Sequence, residues 1–430
     1  MLHLLDVSDY ELSLTSTTAG IPVAVERIPG SQTSGYLLAV RTGSRDEESR
    51  IMGISHLLEH VLFRGTKNRD NVRIMREIEE AGGQLNAFTS AEVTAYYGVT
   101  LDRTAQVAKD LVADITVNPL IRSEDIEMEK KIVLQEISMW EDDPDSYIHS
   151  LFARTLWDGH GLGLMEAGEV ETVKALTEED LRTYFEDRYR MPEISVIACG
   201  NVDVDDVTSW AEENFDHRNG SRGIAREAPK GHGTGLKVFP REGDHSYVGM
   251  GFPSYPSNHP DRTALRALNA ILGAGGSSRL FQSVREEKCL VYSIHTSVDQ
   301  HSDAGSMAAY FSCTEENVVE TITTVVDELA RLRRDGIGED ELQKAKNMVR
   351  GHLVRAMEST SNRMYRLARN YMLSGEAVPF QNDLEKMDAV TLDDVMRVAG
   401  DLLRPERLNI AIYGRETDDI KKLDLGALDF

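Results

Sequence analysis

Apolar residues fall along the chain in two alternating rhythms. Short runs rich in β-branched and aromatic residues, Pro22–Ile28 and Tyr36–Val40, predict strands. Spacings of three and four then predict helices from about Gly53 to Phe63 and over Asn71–Glu80. Strands follow near Gln84–Thr89 and Val93–Val99, then a helix near Thr104–Thr116 and a long helical stretch from about Ser123 past Ser150. The same order recurs later. Leu236–Phe239 and Tyr247–Phe252 read as strands, and about Asp261–Leu272 and Arg279–Glu287 as helices. Leu290–Thr296 and Gly305–Phe311 read as strands again, and Glu316–Asp335 and Glu339 onward as helices.

The repetition has a register. A shift of 206 residues lays Ile74 on Leu280, Ile78 on Val284, Leu85 on Val291 and Asn86 on Tyr292; a shift of 215 lays Glu124-Asp125 on Glu339-Asp340. Agreement of order and register predicts an internal duplication. Between Asp216 and Gly233 the chain holds four glycines and Pro229 among mixed charges with almost no apolar residue, which reads as an exposed linker. The expected organisation is therefore domain 1–215, linker 216–233 and domain 234–430. The fold class is α+β: two homologous domains, each a mainly antiparallel sheet with helices on one face.

Charge narrows the function. Across 430 residues, 47 Lys and Arg face 72 Asp and Glu, a net charge of −25. Repulsion by phosphate then argues against nucleic-acid binding and favours basic partners. The three cysteines, Cys199, Cys289 and Cys313, form no C-x-x-C pair, so neither a disulfide framework nor a cysteine zinc cluster is expected. No run of ~18 apolar residues occurs, so no membrane span is expected. The N-terminus lacks a basic region before an apolar core and is too acidic for a mitochondrial presequence. A cytoplasmic protein is the expectation.

The sharpest chemical signal is Gly53-Ile54-Ser55-His56-Leu57-Leu58-Glu59-His60. On a helix, residues i, i+3 and i+4 share a face. His56 and His60 can present two imidazoles to one metal ion with Glu59 beside them. Zinc accepts such ligands, and a catalytic site keeps a position for water that a neighbouring carboxylate can deprotonate. A third ligand has to come from elsewhere. The acidic helix Ile126–Met139 offers Glu129 and Glu136, two turns apart on one face, and spacing alone does not choose between Glu136, Glu129 and Glu141.

These residues resemble the inverted zincins, the group of insulysin, pitrilysin and the mitochondrial processing peptidase. His56–Thr66 is similar to the family's H-x-x-E-H helix with its F-x-G-T tail, and Gly82–Thr89 to its G-G-x-x-N-A-x-T strand. Glu136 follows His60 by 76 residues, the family's spacing for the third ligand, and Glu141–Pro144 resembles the D-x-P that comes next. Gly273–Phe281 resembles the glycine loop of the second domain.

The resemblance implies a zinc-dependent endopeptidase with one zinc per chain, held by His56, His60 and Glu136. Glu59 would be the general base and Glu129 a supporting acceptor. Arg285 and Tyr292 would donate to the scissile carbonyl as it becomes an oxyanion. Asn86, Ala87, Phe88 and Thr89 would form the edge strand on which an extended peptide pairs. The equivalent of the metal helix, about Leu268–Gly273, has no His or Glu. Longer members complete their site from the opposite half. A homodimer is therefore expected, each subunit's Arg285 and Tyr292 serving its partner's zinc inside a closed chamber. Substrates would be small or unfolded peptides, basic ones favoured by the acidic charge. The alternative from another class is a non-catalytic accessory subunit of a peptide-processing complex, and such chains generally lose part of the zinc motif. One position departs from the family: Cys289 stands where a glycine usually precedes Leu-x-Tyr.

Overall fold

The computed structural model describes residues 10–218, 220, 223–230 and 233–425. The N-terminal residues read for targeting signals, and linker positions 219, 221, 222, 231 and 232, lie outside the described residues. The strands are β1 (Glu11–Ser16), β2 (Pro22–Arg27), β3 (Thr33–Val40), β4 (Gln84–Thr89), β5 (Thr94–Leu101), β6 (Ile194–Gly200), β7 (Gly235–Pro240), β8 (His245–Ser254), β9 (Ile294–Gln300), β10 (Gly305–Thr314) and β11 (Asn409–Gly414). In the first half the helices are α1 (Ile54–Leu62), α2 (Asn71–Glu80), α3 (Ala105–Val117), α4 (Ser123–Glu141), α5 (Pro144–Leu156), α6 (Val170–Ala175), α7 (Glu178–Arg188) and α8 (Val204–Phe215). The second half adds α9 (Arg262–Gly273), α10 (Val318–Asp335), α11 (Glu339–Ala356), α12 (Thr360–Ser374), α13 (Phe380–Ala389), α14 (Leu392–Leu402) and α15 (Asp418–Lys421). Among the described residues no helix is long and apolar enough to cross a membrane.

Two sheets result. One has the order β1-β2-β6-β3-β5-β4, the other β7-β11-β8-β10-β9. Apart from the added β1, the orders coincide when β2–β6 are laid on β7–β11. The directions coincide too. Among the described residues, β2–β6 and β7–β11 pair in parallel and the other neighbouring pairs are antiparallel. This shared mixed topology is what a duplicated α+β unit predicts.

The compact units are discontinuous in sequence. The first takes the chain up to residue 137 with 164–226 and 354–379; the second takes 138–163, 227–353 and the chain from 380 on. In the first unit α1, α3 and α7 contribute to a large core on one sheet face. The opposite face is covered by α12, whose Met364, Leu367, Ala368 and Met372 pack on Leu37, Ala39, Ala95 and Ile197. In the second unit α9, α10 and α14 build the main core. Here α5 packs on β8 and β11, with Phe152 edge-on to Tyr310 and Tyr147 edge-on to Tyr413. Each sheet thus receives one covering helix from the other half of the sequence, beyond the one-sided helical layer expected.

Three expectations need correction. The long helix past Ser123 is broken at Asp142-Asp143, because Pro144 has no N–H to continue it and instead opens α5. The strand expected at Leu290 begins at Ile294, after a turn in which Cys289 takes a left-handed φ of 54°. Tyr292 therefore precedes β9, whereas Asn86 lies inside β4, and the two positions are not equivalent. The linker is not wholly exposed either. The Ile224 N–H donates to Glu193 (2.5 Å), and the buried Arg226 guanidinium donates to both oxygens of Asp46 (2.9 and 2.7 Å) and to the Glu92 carbonyl (2.8 Å).

Candidate metal centre

The site is built on α1. Ile54, Leu57, Leu58, Val61 and Leu62 are buried, which leaves the opposite stripe, His56, Glu59 and His60, half-buried on the other face. Gly53 enters the helix with φ 88°, and a Cβ there would lie 2.6 Å from the Ala167 carbonyl oxygen. The buried Glu47 carboxylate accepts the N–H groups of Gly53 (2.7 Å) and Ser55 (2.8 Å), satisfying donors that the first helical turn leaves over. The Ser55 hydroxyl meets that of Tyr184 at 2.7 Å.

Three side chains converge. Glu136 Oε2 lies 3.5 Å from His60 Nε2 and 3.8 Å from His56 Nε2, and one donor atom from each residue falls within 4.8 Å of the others. A tetrahedral ion with bonds of about 2.0–2.2 Å spaces its donors about 3.3–3.6 Å apart; the 3.5 Å separation falls in that range and the 3.8 Å one just beyond it, and two imidazoles with a carboxylate are donors that suit zinc. Of the three glutamates that spacing left open, Glu136 is the one that converges with both imidazoles. Glu129 sits on the other side of the ring, its Oε2 at 2.9 Å from His60 Nδ1, and Glu141 is not in the convergent group. With Nδ1–H donated to Glu129, the Nε2 lone pair of His60 is left for a metal.

Residues the sequence did not single out hold this arrangement. Arg64 Nε donates to Glu129 Oε1. The loop after α1 is tied to the buried Asp114, whose carboxylate accepts from Thr66 (2.7 Å), Asn68 (2.6 Å), Arg69 (2.7 Å) and Asn118 (3.1 Å). The threonine of the F-x-G-T tail was the one available hint of that hub.

Burial and neighbouring charge separate the proton affinities of the site. Burial, reinforced by His60, pushes His56 down to about 4. Burial works the same way on His60, but its bond to Glu129 and the charges of Glu136, Glu129 and Glu59 outweigh it and raise the imidazole above its usual value. Burial raises Glu59 against the opposing effects of Thr89 and His60. For Glu129 burial loses to the bonds from His60 and Arg64, and its carboxyl lies below the usual range.

Glu59 is tied to the edge of the sheet. The Thr89 hydroxyl donates to Glu59 Oε2 at 2.5 Å. Thr89 ends β4, which among the described residues pairs with β5 alone and leaves its other side as a sheet edge. Asn86 is exposed, its Oδ1 accepting the Ala87 N–H at 2.9 Å. Phe88 stands edge-on to Tyr365 of α12, with ring centroids 5.7 Å apart. Ala87 packs against the main core.

Arg285 and Tyr292 lie in the second unit. The Arg285 guanidinium is 4.5 Å from the centre of the Phe281 ring and 5.7 Å from that of Tyr292. Tyr292 is 85% exposed. The left-handed turn at Cys289 supplies, without glycine, the backbone shape in which the family usually places one.

Comparison with known proteins agrees with this geometry. The family profile described as insulinase (peptidase family M16) matches residues 22–168, and that described as peptidase M16 inactive domain matches residues 175–349. An uncharacterized zinc protease of Mycobacterium tuberculosis is 34% identical over 405 residues, covering 93% of this chain and 92% of its own length. A probable mitochondrial-processing peptidase subunit beta of Schizosaccharomyces pombe is 27% identical over 428 residues, covering 94% and 92%. The fold matches the crystal structure of a protease from Helicobacter pylori with a TM-score of 0.87 at 20% identity, over 95% of this chain and all of that one. The duplicated fold, the paired histidines and these matches together support a peptidase role, and the chain belongs to the M16 family of peptidases.

Proposed function

We propose that the chain is a zinc-dependent endopeptidase acting on small or unfolded peptides. The observation that carries this reading is the convergence of His56, His60 and Glu136 beside Glu59. Those three residues would hold a zinc ion, which would supply Lewis acidity and make a water ionisable near neutral pH. Glu59, made more basic than an ordinary carboxylate by burial, takes the water's proton and passes it to the leaving amine. Thr89 orients Glu59, and Glu129 orients His60. The open edge of β4 at Asn86–Thr89 pairs with the peptide backbone and lays it beside Glu59. Such pairing reads little side-chain sequence, which suits unfolded substrates.

Arg285 and Tyr292 complete the site in this reading, donated by a second copy of the chain in a homodimer enclosing a chamber. The exposure of Tyr292 supports that assignment, since a phenol buried against its own subunit could not serve another. One zinc per chain follows, because α9, the counterpart of α1, carries no His or Glu. The acidic charge favours basic peptides, and a lysine-rich peptide should be cut faster than its glutamate-rich version at low salt, with the gap closing at high salt. A cytoplasmic location belongs to the same reading.

Metal analysis tests the core of it. Wild type should hold one zinc per chain, and His56→Ala, His60→Ala and Glu136→Gln should each lose it; zinc retained by all three would refute the ligand set. For the dimer, His60→Ala and Tyr292→Phe proteins should each be weak and regain activity when mixed under conditions of subunit exchange. Exchange without recovery would place the complete site within one chain.

A further inference from the structure

We propose that Arg64 is a positioning residue of the metal centre: acting through Glu129, it fixes the His60 imidazole in the orientation and tautomer that metal binding requires. This rests on the reading of His60 as a metal ligand.

The arrangement is a chain of three side chains. Arg64 Nε donates to one oxygen of Glu129, and the other oxygen lies 2.9 Å from His60 Nδ1. Both carboxylate oxygens are thereby engaged, and the Glu129 side chain is only 6% exposed. A carboxylate so placed cannot recruit water freely if Arg64 is lost. It would turn toward other donors, and the imidazole it holds would turn with it. The backbone carrying Arg64 is itself fixed. Gly65 has φ 152°, the Thr66 N–H donates to the Arg69 carbonyl (2.8 Å), and the Leu120 N–H donates to that of Gly65 (3.1 Å). The Asp114 hub clamps the next three residues that carry polar side chains toward it: Thr66, Asn68 and Arg69. Arg64 is thus delivered to Glu129 by a rigid loop.

Charge makes the inference testable by sign. Glu59 and Glu136 beside the imidazoles and Glu129 behind His60 carry three negative charges, which a divalent ion together with the guanidinium would neutralise. As a bare point charge, however, Arg64 repels a cation, and its removal would tighten zinc binding. As a positioning residue, its removal loosens binding.

Zinc affinity measured by chelator competition separates the two. Arg64→Gln should bind zinc about 10-fold more weakly and Glu129→Gln about 10–100-fold more weakly, the range for partners one layer behind a ligand. The double variant should be no weaker than Glu129→Gln alone, because Arg64 acts only through that carboxylate. Arg64→Lys, which keeps charge without the planar fork, should fall between wild type and Arg64→Gln. The visible absorption of cobalt-loaded Arg64→Gln should shift from that of wild type, a change that mere loss of stability would not produce, and the zinc-free melting temperature serves as the folding control. Zinc bound by Arg64→Gln as tightly as by wild type or more tightly, or additive losses in the double variant, would overturn the inference. Wild type that takes up no zinc would overturn the ligand reading, and this inference with it.

Discussion

Glu26 and Arg363 form an ion pair that ties α12 to the first sheet, although 337 residues separate them. The Glu26 side chain is wholly buried, and the Arg363 side chain is 10% exposed. Arg363 also donates to the Met357 carbonyl and lies 5.3 Å from the centre of the Tyr10 ring. Replacing Arg363 by Met keeps the stem's packing but strips a buried carboxylate of its counter-charge, a change that costs about 3–5 kcal/mol. In a unit of this size each kcal/mol moves the melting temperature by about 2–4 °C, so the expected drop is about 6–20 °C. Differential scanning calorimetry reads the drop, and limited proteolysis should locate new cleavage within residues 354–379. Glu26→Leu combined with Arg363→Met should recover most of the loss, because well-packed apolar residues can replace a buried pair at little cost. The effect should reach the site as well. Phe88 of β4 rests on Tyr365 of α12, so loosening that helix should raise KM for peptides before zinc is lost. A single variant within about 1 kcal/mol of wild type, or a double variant as damaged as the single, would refute the reasoning.

Thr89→Val removes the bond holding Glu59 and should lower kcat about 10–100-fold at full zinc content, a hydrogen bond to a charged group being worth about 1.5–3 kcal/mol; Thr89→Ser should restore it. In the zinc-free protein His60 is raised above its usual value and His56 lowered to about 4, so near pH 6 the first is more than half protonated and the second neutral. Zinc uptake there should release about one proton, falling toward none well above neutral pH, as calorimetry in buffers of different ionisation enthalpy can measure. Release of two would contradict the separation of the imidazoles. At Cys289, with φ 54°, a substitution to Gly relieves a left-handed penalty of about 1–2 kcal/mol but adds freedom to the unfolded chain, so a gain below about 1 kcal/mol is expected. Cys289→Val should cost about 1–2 kcal/mol, both read by urea denaturation, because a β-branched residue fits that backbone worst.

Local signals were the legible ones. The bounds of α2 and β4 follow directly from apolar spacing, because an amphipathic helix and an edge strand each announce themselves within ten residues. The paired histidines were equally plain, since one helical face suffices to bring them together. The choice of Glu136 was not available from spacing, because Glu129 and Glu136 lie two turns apart on one face; which meets Nε2 and which meets Nδ1 depends on how α4 passes α1. The buried central strands β6 and β11 escaped notice because their partners are distant in sequence: β6 pairs with β2, and β11 with β7. The same holds for the exchanged helices α5 and α12, whose apolar faces reveal burial without naming the sheet they cover. Nothing in the sequence sets Glu47, Arg64 or Asp114 apart from other charged residues, which are read by default as solvated. Only the fold shows the first capping the metal helix, the second gripping Glu129 and the third clamping the loop between them.

The central claim is that Glu59 is the base of a metal-dependent peptide hydrolysis. The most direct measurement is mass spectrometry of a pool of unfolded peptides incubated with wild type and with Glu59→Gln, each first checked for zinc content. The account predicts one zinc in both and new peptide termini with wild type alone. Equal cleavage by both would contradict the assignment of Glu59. Zinc bound by both with no cleavage by either would contradict a general peptidase and favour an accessory subunit.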